Sequence, residues 1–182
     1  MVGHRAVGPL ETADGYRLRT ERYVRRLLAG SHFRDGVRPR FVVVAWFGSD
    51  LRAGHCSVQP GVEIASKATR PSAWSVDGVT RASAYQVSQV NGRPAYGGTP
   101  SDDSVVHLIR ELKARGLKVT FYPFVMMDIP TSNGLADPWS GAGSQPAYPW
   151  RGRITCDPAP GVPGSPQGTA TAAAQVAQFF AG

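Results

Sequence analysis

Two aspartates stand where an α/β chain can do chemistry. Asp50 comes three residues after the apolar run Phe41-Val42-Val43-Val44-Ala45-Trp46-Phe47, and Asp128 closes the stretch that begins at Gly116. Both runs read as strands. Each aspartate therefore falls just past a strand's carboxyl end, on the face where α/β folds bind ligands. Aromatic residues lie near both in sequence: Trp46, Tyr122, Trp139, Tyr148 and Trp150. Rings beside carboxylates suit sugars, whose C–H faces stack on aromatic planes while their hydroxyls bond to the acid. The candidate substrate-binding set is Trp46, Asp50, Tyr122, Asp128, Trp139 and Trp150. The competing reading is that both aspartates cap loops by accepting hydrogen bonds from backbone amides.

Paired carboxylates also suggest glycoside hydrolysis, which needs two such groups roughly 5–10 Å apart. Spacing along the chain does not give that distance. The glutamates are Glu11, Glu21, Glu63 and Glu111. Of these only Glu63, in the loop after the first strand, is placed to serve, and no residue is assigned as catalytic. His55-Cys56 is too sparse for a metal site. There is no Gly-x-Ser-x-Gly, no Walker loop and no Gly-x-Gly-x-x-Gly after a strand, so no metal or other cofactor is expected.

The elements that must position these residues can be read in order. The run 41–47 is too short for a helix and apolar at every position, which predicts a strand covered on both faces. Residues 52–70 form a loop. Extended candidates follow at 73–76 and 82–90, and Asn91-Gly92 predicts a type I′ turn returning through 93–96. A helix follows, with Thr99 as N-cap, Pro100 at its first position and Asp102 three residues on. Val105, Leu108, Ile109 and Leu112 form its apolar stripe, and Gly116 its stop. The stretch 117–125 predicts a second buried strand, parallel to the first by βαβ connectivity. Pro123 belongs near its end or at a bulge. A long loop with Trp139, Tyr148 and Trp150 comes next, and loops of that length are usually functional. A short strand is expected at 152–156. An Ala-rich helix is expected at 169–180, with Val176, Phe179 and Phe180 for packing.

Composition sets the outer limits. The 182 residues allow one domain with a real core, and 21 Gly with 15 Pro predict long loops. The net charge of +7 is concentrated in nine arginines before Phe41. Residues 1–40 are thus a basic arm, read as an arm, a tail or a non-native translated leader, with a weak helical pattern over 16–29. No nucleic-acid-binding motif or base-stacking pattern accompanies this charge, which argues against nucleic acid as a partner. Cys56 and Cys156 are too few and too far apart for a disulfide framework. No apolar run approaches the roughly 18 residues of a membrane span, and the first ten residues carry no signal-peptide core.

Four strings carry a family resemblance: Ala45-Trp46-Phe47-Gly48-Ser49-Asp50-Leu51-Arg52, Gly92-Arg93-Pro94-Ala95-Tyr96-Gly97-Gly98-Thr99-Pro100-Ser101-Asp102, Tyr122-Pro123-Phe124-Val125-Met126-Met127-Asp128-Ile129-Pro130 and Gln145-Pro146-Ala147-Tyr148-Pro149-Trp150-Arg151-Gly152-Arg153-Ile154-Thr155. In this order they resemble the glycoside-hydrolase TIM-barrel-like domain of gene transfer agent host-specificity, or baseplate megatron, proteins. These are phage-tail hub proteins. The resemblance covers residues 41–182.

It implies an α/β fold: the first half of a (β/α)8 TIM-barrel-like domain, with a small β excursion after the first strand. A complete barrel takes about 250 residues. It also implies cell-surface glycan and other tail or baseplate subunits as partners, and a place on the tail of a phage-like particle made in the cytoplasm. The implied function is binding, and in the parent protein hydrolysis, of cell-envelope polysaccharide. This stretch alone is expected to be inactive, because glycosidase barrels usually carry their acid and nucleophile on later strands. The alternatives are a non-catalytic structural or glycan-binding tail module, and an inert truncated gene product.

Overall fold

A computed structural model describes residues 40–149 and 153–181. Nearly all of the basic arm, its expected helix and Trp150 lie outside the described residues. The elements run β1 (Arg40–Gly48), β2 (Val58–Gln59), β3 (Gly61–Val62), β4 (Ser75–Val76), β5 (Val79–Thr80), β6 (Tyr85–Gln86), β7 (Gln89–Val90), β8 (Arg93–Pro94), α1 (Asp102–Ala114), β9 (Val119–Met127) and α2 (Ala170–Ala181). The mixture of helices and strands is that of an α/β chain. Among the described residues the strands form one three-stranded and three two-stranded sheets, with no closed barrel.

The main sheet has the order β2-β1-β9. The Arg40 amide donates to the Lys118 carbonyl at 2.7 Å, and the Asp128 amide donates to the Gly48 carbonyl at 3.0 Å. Both strands advance in the same direction between these bonds, so β1 and β9 are parallel, as expected. The bonds also fix which side each residue faces. Even-numbered residues of β9 turn their backbone groups toward β1, so Pro123 faces the open edge. The N–H it lacks therefore removes no ladder bond, which is how proline sits in the middle of this strand and not at its end.

The expectation that both strands are buried does not hold. On β1, Val42 and Val44 are buried, but Phe41 is 65% and Val43 54% exposed. On β9, Phe121 and Tyr122 are also exposed, and burial becomes complete only at Met127. A run of apolar side chains shows that a strand can be covered on both faces. It does not supply the layer that covers it.

The chain divides into two compact units. The described part of the first comprises 40–42, 66–81 and 100–121. Its helix α1 starts later than expected. Ser101 is the N-cap, and its Oγ accepts from the Ser104 amide at 3.3 Å. Gly116, at φ 72, ends the helix as predicted. Leu112 is its one buried residue. The hairpin β4–β5 turns at Asp77-Gly78, both at positive φ. Its two-residue arms are too short to show alternation in sequence. The Asp77 amide donates to Asp102 on the helix at 2.9 Å.

The described part of the second unit comprises 43–65, 82–99, 122–149 and 153–181. Its core joins Leu51, Cys56, Met127 and Ile129, with Val58, Leu135, Ile154 and Phe179 against them. Of the three side chains expected to pack α2, only Phe179 does so. Phe180 is 80% exposed and Val176 is also exposed. Where a strand is expected over 152–156, the described residues 153–156 hold an isolated parallel bridge, Arg52 to Thr155. Cys56 and Cys156 are free thiols, and burial pushes the Cys56 thiol up from its ordinary pKa.

Thr99 does not cap the helix because its hydroxyl has another task. It donates to the Ala45 carbonyl at 2.8 Å and accepts from the Gly61 amide at 3.0 Å, tying β1 to β3. The parallel pair β3–β6 then carries residues 85–88. The hairpin β7–β8 turns at Asn91 (φ 52) and Gly92 (φ 71), as the type I′ expectation requires.

Candidate functional site: two aspartates at the ends of parallel strands

The side chain of Met127 lies over Gly48 at the ends of β1 and β9: a Cβ there would lie 2.7 Å from Met127 Sδ, so Met127 would have to shift to admit one. Beyond these ends come Asp50, 3% exposed, and Asp128, 2% exposed. They occupy different environments.

Asp50 is saturated. Its Oδ1 accepts from the Arg52 amide (2.8 Å), Arg52 Nε (3.0 Å) and Gln145 Nε2 (2.7 Å), and its Oδ2 accepts from Arg52 Nη2 (2.7 Å). Burial raises its pKa, but the hydrogen bonds from Arg52 and Gln145 and the Arg52 charge outweigh burial, so the carboxyl sits below its ordinary value. Gln145 also accepts from the Leu51 amide (3.0 Å) and donates to the Ala136 carbonyl (2.9 Å). Asn133 braces the same loop: it donates to the Pro130 and Gln145 carbonyls, and its Oδ1 accepts from the Leu135 and Gln145 amides. The group works as a knot that pins the long loop to the end of β1. For Asp50 the capping reading is the one the structure supports, and its oxygens are not presented to a ligand.

Asp128 is half used. Its Oδ2 accepts from the Tyr85 hydroxyl and the Ser88 amide, both at 2.7 Å. Its Oδ1 is buried with no hydrogen-bond partner. The β excursion builds this environment. Val62 and Val87 are buried, and the Val87 amide donates to the Val62 carbonyl at 3.0 Å, which sets Tyr85 and Ser88 against Asp128. The hairpin brings Ala95 back to Ser88 (2.7 Å), and next to it the Tyr96 hydroxyl approaches the Met127 carbonyl at 3.4 Å. Tyr148, at φ 48, is held by its amide on the Ile129 carbonyl at 2.8 Å.

The rings of Tyr85 and Tyr96 each pack on Phe47, with centroids 6.2 and 6.1 Å away, and Tyr148 meets Tyr96 edge-on at 6.4 Å. The three tyrosines are half-buried and Phe47 is fully buried. Burial, then the hydrogen bond and charge of Asp128, push the Tyr85 phenol well above its ordinary pKa. Burial and the Asp128 charge push Tyr96 up to about 12. Both phenols stay protonated at neutral pH.

The expected aromatic set does not gather here. Trp46 is half-buried on β1. Tyr122 is 50% exposed on β9, beside Phe124 at 6.3 Å. Trp139 is exposed and held through its amide on Asp137. None of the three makes a described hydrogen bond or ring contact to either aspartate. Glu63 follows β3, with its Oε2 close to Gly98, where a Cβ would lie 2.9 Å away. Among the described residues no group of three His, Cys, Asp or Glu is placed to hold a metal.

Sequence reasoning missed Tyr85 and Tyr96 as site residues and noted Tyr148 only as a neighbour. The available signal was the Asn-Gly hairpin. It was legible as a turn, and turning the chain there returns Tyr96 to the level of Ser88. No family model and no curated protein matches the chain. Among the described residues no helix is long and apolar enough to cross a membrane.

Proposed function

We propose that this chain is part of a TIM-barrel-like domain from a phage-tail or gene-transfer-agent hub protein, and that its role is to bind cell-envelope polysaccharide. The resemblance over residues 41–182 supports the family. The parallel pair β1–β9, with an acidic residue after each strand, is compatible with the first half of such a barrel. The observation that carries the binding role is Asp128: a buried carboxylate with one oxygen unused, beneath half-buried tyrosines at a strand's carboxyl end. Sugar hydroxyls are donors that such an oxygen accepts, and tyrosine rings take their C–H faces. The same reading places other tail or baseplate subunits among its partners and the protein on a phage-like particle.

Binding is favoured over cleavage by Asp50. Hydrolysis by paired carboxylates needs two groups free to exchange protons or attack, and Asp50 is held by four hydrogen bonds. A glycan array probed with the purified chain tests the reading, and a reducing-end assay on the same glycans separates binding from hydrolysis. The expected result is retention of at least one envelope polysaccharide without release of reducing ends. Failure to retain any glycan would remove the binding role, and release of reducing ends would restore the catalytic one. A thermal melt addresses the inert-fragment alternative, for which no cooperative transition is expected.

A further inference from the structure

We propose that Asp128 Oδ1 receives a positively charged amine of the glycan, so that the site selects amino sugars with a free ammonium group over their N-acetylated counterparts. This rests on the glycan-binding reading above and adds the charge class of the ligand.

Four observations support it. First, Asp128 is a buried carboxylate whose two protein donors, a phenol and a backbone amide, are both neutral. Among the described residues no lysine or arginine forms an ion pair with it, whereas Asp50 holds Arg52 at 2.7 Å. A buried carboxylate is costly unless it is paired and fully hydrogen-bonded, and an ammonium group supplies both a charge and donors. Second, the unused acceptor is the buried Oδ1 itself. Third, the surrounding groups suit a cation. Tyr85 donates its hydroxyl to Asp128 Oδ2 and belongs to one ring cluster with Phe47, Tyr96 and Tyr148, so the groups nearby are aromatic and bring no competing positive charge. The first two phenols remain uncharged at neutral pH. Fourth, a metal ion is a poorer occupant, because no second acidic, histidine or cysteine ligand completes a set among the described residues.

The test uses two probes with the same backbone, the hexamer of β-1,4-linked glucosamine and the hexamer of N-acetylglucosamine, titrated calorimetrically into the 182-residue chain. We expect the amine form to bind about tenfold more tightly or better. The charge of +7 lies mostly in the N-terminal arm, so the control for non-specific attraction of the polycation is the Asp128→Asn chain. Asp128→Asn should bring the amine probe down to the affinity of the acetylated one. Tyr85→Phe removes one neutral donor but leaves the charge, and should keep the preference.

Equal affinity for the two probes, or tighter binding of the acetylated one, overturns the amine assignment while leaving glycan binding in place. Binding of neither overturns the amine assignment, and the glycan array decides the binding role separately. Undiminished binding of the amine probe by a folded Asp128→Asn chain also overturns it, as does a complex structure with only a water on Oδ1. If Asp128→Asn does not fold, the preference of the unsubstituted chain still decides.

Discussion

Asp50 and Asp128 have the same residue type, nearly the same burial and equivalent positions past two adjacent parallel strands, yet their surroundings differ in one respect. Asp50 has a cation two residues away and an amide from the far loop, and both of its oxygens accept hydrogen bonds. Asp128 has only neutral donors, all on one oxygen. The first arrangement is what a fold needs to hold a long loop in place. The second leaves binding capacity in the protein, at some cost in stability. Buried acids at strand ends are thus not equivalent candidates for function. The one with unmet hydrogen-bonding capacity is the better candidate, and the number of partners matters more than the degree of burial.

Substitutions should separate the two. The largest effect is expected at Asp50→Ala, which strands the Arg52 guanidinium and the Gln145 amide. By chemical denaturation we expect a loss of about 3 kcal/mol; a loss comparable to that of an exposed acid would show the knot to be incidental. The same carboxyl makes the fold acid-sensitive in a defined direction. Its folded-state pKa is depressed, so its stabilisation is present above the ordinary value of 3.8 and is lost as pH falls through the lower folded value. Denaturation midpoints measured between neutral and strongly acid pH should fall in that window, and less so in Asp50→Asn.

Gln145→Ala comes next, at about 2 kcal/mol, because the Leu51 amide and the Ala136 carbonyl lose their partner. It should also raise proteolytic cleavage within residues 130–148. An unchanged cleavage pattern would mean that Asn133 holds the loop without it. Asp128→Asn should change stability by less than about 1 kcal/mol, because no buried cation is left unpaired. A loss as large as that at Asp50 would break the contrast.

The smallest effect is spectroscopic. In an alkaline absorbance titration Tyr85 and Tyr96 should ionise later than ordinary tyrosine, with Tyr96 near about 12. Their raised values stabilise the fold below pH 10.0, and that contribution is lost as pH rises above it. Tyr96→Phe should remove one late-titrating phenol, and an unaltered late phase would show that Tyr96 is not held near Asp128.

Much of the local structure was legible in sequence. The two parallel strands, the helix between them, its stop at Gly116, the Asn91-Gly92 turn and the Ala-rich helix all follow from local periodicity or from residues suited to positive φ. Positions where a side chain could serve two partners were not legible. Thr99 has the chemistry of a helix cap, but its hydroxyl joins Ala45 to Gly61, and Ser101 caps instead. Phe41 and Tyr122 have the composition of buried strands, yet they are exposed.

By itself the sequence determined which segments become strands and helices, and that Asp50 and Asp128 follow two strands, because these depend on neighbours within a few residues. Only the tertiary structure decided their roles. Gln145 lies 95 residues from Asp50 and Tyr85 lies 43 from Asp128, and no local pattern records which carboxylate such distant groups will satisfy and which they will leave with an oxygen to spare.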